Sequence, residues 1–161
     1  MSVTLLLGGA RSGKSALAER EAGAGPVTYV ATGLADADAD MAARIAAHRE
    51  RRPSTWTTVE TDDLVAAVDS CAGTVLVDSL TTWVARAPDF SVDTAALCRA
   101  LADHAGDVIL VSDEVGLGVH PSTDAGRRFR DALGLVNQAV AAVADEVRFV
   151  VAGRLLRLDP A

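Results

Sequence analysis

The segment from Gly8 to Ser15 has the residue types and spacing of a phosphate-binding loop. It reads GGARSGKS and fits the pattern G-x-x-x-x-G-K-[ST] between a strand and a helix. Glycines let backbone N–H groups turn towards phosphate oxygens, and a helix N-terminus adds partial positive charge. We expect Lys14, the only lysine in the sequence, to act catalytically at the β- and γ-phosphates, and Ser15 to ligate Mg²⁺. The expected nucleotide contacts here are Gly8, Gly9, Ala10, Arg11, Ser12, Gly13, Lys14 and Ser15.

Such a loop works with an acidic residue at the end of a neighbouring strand, which holds the metal through water. Four residues of a predicted strand, TVLV, are followed directly by Asp78. Asp113 and Glu114 also follow an apolar run and are second candidates for this role. Because open α/β sheets bind ligands at the carboxyl ends of their strands, we expect these acids to share one edge with the loop.

A histidine surrounded by arginines is the third feature that could do chemistry. On a helix, Arg44, His48 and Arg52 share one face, at i, i+4 and i+8. A solvated basic helix end would explain this pattern, but beside a nucleotide the arginines could bind phosphates bidentately. Nearby cations disfavour the imidazolium, so His48 should be biased towards its neutral form, as a general base or a nucleophile. Attack on an α-phosphorus would form a phosphoramidate and expel pyrophosphate.

The remaining histidines and the cysteines carry weaker signals. His104 stands in the polar stretch ADHAGD and is expected to be solvated, whereas His120 could be a loop residue near the substrate. Cys71 and Cys98 lack metal-ligand spacing and are expected to be small buried hydrophobes in a reducing compartment.

Apolar runs that alternate with helical patterns must position these residues. The runs are SVTLLLGG, PVTYVATG, STWTTVE, TVLVDSL, DVILVSDEVG and VRFVVAG. Continuous apolar strands separated by helices predict an α/β fold, with a mostly parallel sheet covered by helices on both faces. We find no repeats or linkers, so residues 1–161 are expected to form a single domain.

Composition narrows the class of protein. Half of the 161 residues are apolar and the net charge is −7, which suits a folded protein and disfavours binding to nucleic acid. The apolar run at the N-terminus is too short for a signal or a span, so we expect a cytoplasmic protein without membrane insertion.

Taken together, the motifs resemble the bifunctional adenosylcobinamide kinase/adenosylcobinamide-phosphate guanylyltransferase family of cobalamin biosynthesis. The resemblance runs nearly end to end and includes LLLGGARSGKS, YVATG, VLVDSLTTWV and LVSDEVGLGVHP. The pattern R-I-x-x-H-R-x-x-R-P-x-x-W, within DMAARIAAHRERRPSTWTTVE, is much more specific than the phosphate loop alone.

The resemblance implies two reactions and a set of residues. Family members phosphorylate adenosylcobinamide with ATP or GTP, then transfer GMP from GTP through a histidine, matched here by His48, to form adenosylcobinamide-GDP. Besides the phosphate loop, the implied nucleotide contacts are Ala31, Thr32, Gly33, Arg49, Glu50, Arg51, Arg52, Glu60 and Asp78, with Ser15 and Asp78 at Mg²⁺. The fold is similar to that of RecA-like P-loop proteins, and the resemblance implies a homotrimer. Asp113 departs from the family, in which asparagine is common at this position.

Two other functions are compatible with the residues alone. One is a monofunctional P-loop kinase of another small alcohol, in which His48 would only contact a phosphate. The other is a regulatory module that binds GTP. Neither requires a covalent bond between the protein and GMP.

Overall fold

The chain folds as α/β around one seven-stranded sheet in a computed structural model that describes residues 1–33 and 52–161. The strands are β1 (Val3–Gly8), β2 (Val27–Ala31), β3 (Thr57–Glu60), β4 (Thr74–Asp78), β5 (Val108–Asp113), β6 (Glu146–Val151) and β7 (Arg154–Leu158). Their order is β3-β2-β4-β5-β1-β6-β7. All described neighbours pair in parallel except β6 and β7, which confirms the prediction of a mostly parallel sheet.

Five α-helices connect the described strands. They are α1 (Lys14–Ala22), α2 (Leu64–Ser70), α3 (Leu80–Arg86), α4 (Thr94–Asp103) and α5 (Asp124–Val143), with a short 3₁₀ turn at Pro88–Phe90. At the start of four of them, a side-chain oxygen accepts a hydrogen bond from a backbone N–H of the first turn, and the accepting residues are Asp63, Ser79, Asp93 and Thr123. Such caps satisfy donors that the first turn leaves unpaired and fix where each helix begins.

Helices cover both faces of the sheet, as the continuous apolar strands predicted. Alternate residues of a strand point to opposite faces, so Leu5 and Leu7 pack with α2 to α5, whereas Leu6 packs with α1. Full burial of a leucine side chain contributes about 1.5–3 kcal/mol. Because β1 to β6 pair in parallel, their carboxyl ends lie along a single edge of the sheet, between the two covered faces.

Helix α3 and strand β7 were not predicted from the sequence, and both adjoin that edge. Helix α3 begins two residues after Asp78, where Ser79 and Thr82 form a reciprocal capping box. Strand β7 follows a two-residue turn at Ala152 and Gly153, whose φ values of 50° and 71° suit a tight hairpin.

Among the described residues, no helix combines the length and the apolar character needed to cross a bilayer. Cys71 and Cys98 are both free and half-buried rather than fully buried.

Candidate functional site

The phosphate loop lies between the end of β1 and the start of α1, as its sequence predicted. Gly13 adopts the left-handed conformation with φ 98°, and α1 begins at the next residue, Lys14. The backbone N–H of Ser12 donates to the carbonyl of Gly9 over 3.2 Å, which closes the turn. The helix N-terminus therefore faces the loop, an arrangement that favours bound anions.

The hairpin between β6 and β7 packs directly against this loop. The backbone N–H of Gly153 donates to the carbonyl of Ser12 over 2.8 Å. A Cβ atom at Gly8 would lie 2.6 Å from both the Ser12 hydroxyl and the carbonyl oxygen of Val150. Position 8 therefore requires glycine because of close packing, and the end of β6 and the turn that follows it pack against the loop.

Lys14 is held on the floor of the loop. Its side chain is only 10% exposed, its Nζ donates to the carbonyl of Gly9 over 3.1 Å, and it forms an ion pair with Asp113. Gly8 and Asp113 are paired neighbours on β1 and β5, which brings the carboxylate beside the loop. Lys14 is therefore paired with Asp113, one of the two residues given above as second candidates for holding the metal.

A row of predicted residues follows the same edge beyond β5. Ala31 of β2 pairs on one side with Glu60 of β3 and on the other with Asp78 of β4. Ala31, Glu60 and Asp78 are each the last residue of their strand. Three residues that are expected to contact nucleotide therefore lie side by side across neighbouring strands. The sheet therefore places the phosphate loop, Asp113, Asp78 and Glu60 along its carboxyl edge.

Thr32 joins this row to α3, and the next residue, Gly33, lies beside that helix, since a Cβ there would be 3.7 Å from the Thr82 side chain. Thr32 is fully buried, and its hydroxyl donates to the carbonyl of Ser79 over 2.6 Å and accepts the Ser79 backbone N–H over 3.1 Å. Arg86 of α3 donates to the Thr32 carbonyl over 2.8 Å. Thr32 therefore fixes the β2 and β4 ends relative to each other, a structural role beside the expected nucleotide contact.

Tyr29, which sequence reasoning missed, contacts Asp78. Its hydroxyl donates to the Oδ2 atom of Asp78 over 2.8 Å. Burial, followed by the negative charge of Asp78, raises the pKa of Tyr29 far above its ordinary range. Both effects favour the protonated phenol, the form that donates to Asp78.

Arg52 lies over the ring of this tyrosine. Its guanidinium carbon lies 3.3 Å from the centroid of the Tyr29 ring, a cation–π contact, and its Nη1 atom donates to the Thr58 hydroxyl over 3.1 Å. A pocket of about 630 Å³ opens beside it. The lining residues are Arg52, Pro53, Ser54, Trp56, Thr58 and Glu60. Its volume and mixed polarity suit a nucleoside-sized ligand.

The donor set suits Mg²⁺. Ser15 in the first turn of α1 offers a hydroxyl and Asp78 a carboxylate, and Mg²⁺ prefers oxygen ligands, with few from protein when phosphates and water supply the rest. Within residues 1–33 and 52–161, no cluster of three or more His, Cys, Asp or Glu side chains could hold a metal alone. Ser15 and Asp78 would therefore act together with the phosphates of a bound nucleotide.

Four predicted site residues lie outside the described part of the chain: His48, Arg49, Glu50 and Arg51. Arg44 also lies outside it. Of the basic segment, only Arg52 and the residues after it belong to the geometry given above.

His104 and His120 have different environments. The expectation that His104 is solvated is wrong, because it is 6% exposed and its Nε2 atom lies 2.8 Å from the carbonyl oxygen of Gly73. His120 is exposed, and its Nδ1 atom lies 2.9 Å from the Nη1 atom of Arg130.

Comparison with known proteins places these features in one family. The family model described as cobinamide kinase / cobinamide phosphate guanyltransferase matches residues 4–158. The bifunctional adenosylcobalamin biosynthesis protein CobP of Pseudomonas aeruginosa is 43% identical over 161 residues, covering 92% of either chain. CobU of Salmonella typhimurium, which bears the same description, is 39% identical over 174 residues, covering 92% of this chain and 95% of that one.

Among solved structures, the P4 protein of bacteriophage phi6 in complex with ADP aligns with 96% of this chain at 20% identity and a TM-score of 0.46. This chain spans about half of that protein, 52% of its length.

Proposed function

The chain belongs to the cobinamide kinase / cobinamide phosphate guanyltransferase family, and we propose that it catalyses both reactions for which the family is described. It phosphorylates adenosylcobinamide with ATP or GTP and then converts the product to adenosylcobinamide-GDP with GMP taken from GTP. The observation that carries this proposal is the single carboxyl edge on which the Gly8–Ser15 loop, Asp78 and Glu60 lie, within a chain that matches the family over residues 4–158.

The kinase step uses the phosphate loop. The hydroxyl of the aminopropanol arm attacks the γ-phosphorus and loses its proton to solvent, the bond from that phosphorus to the β,γ-bridging oxygen breaks, and the nucleoside diphosphate leaves. Backbone N–H groups of the loop and the Lys14 ammonium stabilise the negative charge on the phosphates. Ser15 and Asp78 would hold Mg²⁺, which supplies further positive charge at the β- and γ-phosphates when bound.

Guanylyl transfer needs a nucleophile, for which the proposal uses His48. An imidazole nitrogen attacks the α-phosphorus of GTP, the bond to the bridging oxygen breaks, and pyrophosphate leaves. A phosphate oxygen of adenosylcobinamide phosphate then attacks the same phosphorus, the P–N bond breaks, and the imidazole is restored. Arg49, Glu50, Arg51 and Arg52 are proposed as nucleotide contacts. The pocket between Arg52 and Glu60 supports this assignment, since it has the size for a nucleoside.

We propose a cytoplasmic homotrimer that binds small molecules rather than nucleic acid. The net charge of −7 supports the last point. Support for assembly comes from large apolar side chains that are exposed in the described chain on β7, at Leu155 and Leu156, and after β5, at Leu117 and Val119. Sedimentation velocity would test the trimer, and a monomer at micromolar concentration would contradict it.

The activity is tested by incubating the purified protein with adenosylcobinamide, Mg²⁺ and either ATP or GTP, followed by mass analysis of the products. We expect adenosylcobinamide phosphate with either nucleotide and adenosylcobinamide-GDP with GTP. Phosphate without the GDP product, even with excess GTP, would indicate a monofunctional kinase. GTP hydrolysis without any modified corrinoid would indicate a regulatory module.

A further inference from the structure

Tyr29 and Asp78 are brought together by the register of two parallel strands. Tyr29 of β2 pairs with Leu76 of β4, so Asp78, two residues further along, lies diagonally on the same face of the sheet. A tyrosine is long enough to span that diagonal. The resulting hydrogen bond, 2.8 Å from hydroxyl to Oδ2, joins residues that are 49 positions apart in sequence.

The tyrosine is itself held rigidly. The residue is 4% exposed, and Trp56 stacks on it with ring centroids 6.4 Å apart and an interplanar angle of 25°. The Arg52 guanidinium contacts the ring at 3.3 Å from its centroid. A side chain packed in this way cannot change rotamer without opening the core, so its hydroxyl is a fixed donor.

We infer that Tyr29 is a positioning residue for Asp78, whose carboxylate it holds through Oδ2 in the orientation that Mg²⁺ binding requires. The inference rests on the proposed function, in which Asp78 holds the metal through water. Hydrogen-bonding partners of a metal-binding carboxylate fix its direction, and removing such a partner usually costs about 10–100-fold in metal affinity. Because Asp78 acts through water, the expected cost here is smaller, roughly threefold to tenfold.

The variant Tyr29→Phe tests this directly, because it keeps the ring and its contacts with Arg52 and Trp56 while removing the hydroxyl. GTP binding is measured by calorimetry over a range of Mg²⁺ concentrations, a readout that does not depend on turnover. We expect the half-saturating Mg²⁺ concentration to rise roughly threefold to tenfold, and the loss of GTP affinity to shrink as Mg²⁺ is raised.

A matched control is Thr4→Val, which removes another buried hydroxyl from a strand, at the opposite end of the sheet. Melting temperatures of both variants show whether a shift in Mg²⁺ dependence merely follows lost stability. A similar Mg²⁺ shift in Thr4→Val would overturn the inference, since that hydroxyl does not contact Asp78.

A double-mutant cycle with Asp78→Asn separates this inference from the proposed role of Asp78. If Tyr29 acts through Asp78, adding Tyr29→Phe to Asp78→Asn should not raise the Mg²⁺ requirement further. If Tyr29→Phe raises the Mg²⁺ requirement as much in the Asp78→Asn background as in the wild type, Tyr29 does not act through Asp78. If Asp78→Asn shifts the requirement and Tyr29→Phe does not, the inference fails while the proposed function stands. If Asp78→Asn has no effect, the metal role of Asp78 fails, and the inference with it.

Discussion

Lys14 of the phosphate loop forms an ion pair with Asp113 at the end of β5. The two side chains are 10% and 28% exposed, respectively, so the pair is largely shielded on the lysine side. A nucleotide that binds the loop competes with this carboxylate for the ammonium group. Asp113 is therefore a counter-ion of the nucleotide-free loop.

Replacing Asp113 by asparagine should tighten nucleotide binding in the absence of Mg²⁺. The amide oxygen can still accept a hydrogen bond from Lys14, but the competing negative charge is gone. A partly exposed ion pair contributes about 1 kcal/mol, so calorimetry with GTP in EDTA should give a Kd about fivefold lower. Glu114→Gln is a matched control, because the Glu114 carboxylate accepts the backbone N–H of Gly116 over 2.7 Å instead. Weaker binding and a changed Mg²⁺ requirement would instead assign Asp113 the metal role proposed for Asp78.

Replacing Lys14 by alanine should reduce both activities by at least about 100-fold, because loss of one preorganised charge at the transferring group costs about 3 kcal/mol or more. Circular dichroism and the melting temperature should show an intact fold, since the side chain lies in the loop rather than in either apolar cluster. Arg99→Ala, an exposed cation on α4, serves as the control. Phosphorylation of adenosylcobinamide by Lys14→Ala at the wild-type rate would contradict the assignment of the loop.

Features encoded by contiguous residues could be predicted from the sequence. The loop from Gly8 to Ser15 follows from glycine spacing and from its position between a strand and a helix. Asp78 follows from a four-residue strand pattern, TVLV, that ends in an acid. Because parallel strands share one carboxyl edge, placing the loop and Asp78 together needed no knowledge of strand order.

Features that depend on pairing between distant segments could not be predicted. The contact of Tyr29 with Asp78 requires the register of β2 against β4. His104 looked solvated because its neighbours in sequence are polar, whereas the Gly73 carbonyl that it contacts comes from a different connection. All five residues of β7 are exposed. Its sequence, RLLRL, accordingly lacks the alternation of apolar and polar residues by which a half-buried strand is recognised, so this strand was missed.

Substitution of the first loop glycine should destabilise the nucleotide-free protein, whereas substitution of the second should not. A Cβ at Gly8 would lie 2.6 Å from the Val150 carbonyl oxygen, but a Cβ at Gly9 would meet nothing within 4 Å. Overpacking costs about 1–3 kcal/mol, and each kcal/mol lowers the melting temperature by about 2–4 °C in a chain of this size. Differential scanning calorimetry should therefore give a lower Tm for Gly8→Ala and a Tm for Gly9→Ala within about 2 °C of wild type. Equal losses would show that the β6–β7 hairpin does not pack on the loop.

The ionisation of Tyr29 should coincide with alkaline unfolding. The pKa of Tyr29 is raised by burial and by Asp78. The contribution of the protonated phenol to the free energy of unfolding is therefore complete below pH values of about 10, the ordinary tyrosine pKa, and is lost as pH rises beyond it. Tyr29 is the only tyrosine in the chain, so absorbance at 295 nm reports on it alone. This absorbance should stay flat until circular dichroism shows unfolding, and then rise together with it. Tyrosinate formation in a folded protein near pH 10 would contradict the buried hydrogen bond.

The last prediction separates the two proposed reactions at His48. Guanylyl transfer through a histidine requires that nucleophile, so His48→Ala should abolish both covalent labelling by [α-³²P]GTP and formation of adenosylcobinamide-GDP. Phosphorylation should survive in part, because there the substrate hydroxyl attacks the γ-phosphorus directly.

His120→Ala is the matched control for His48→Ala. His120 is exposed, lies within hydrogen-bonding distance of Arg130, and is not among the proposed nucleotide contacts, so [α-³²P]GTP should label this variant as heavily as the wild type. The wild-type label should be labile in acid and stable in alkali, because protonation of a phosphoramidate nitrogen makes imidazole a good leaving group. Labelling should also fall at low pH, since only the neutral imidazole attacks. Undiminished labelling of His48→Ala, or a label that survives acid, would place the nucleophile at another residue.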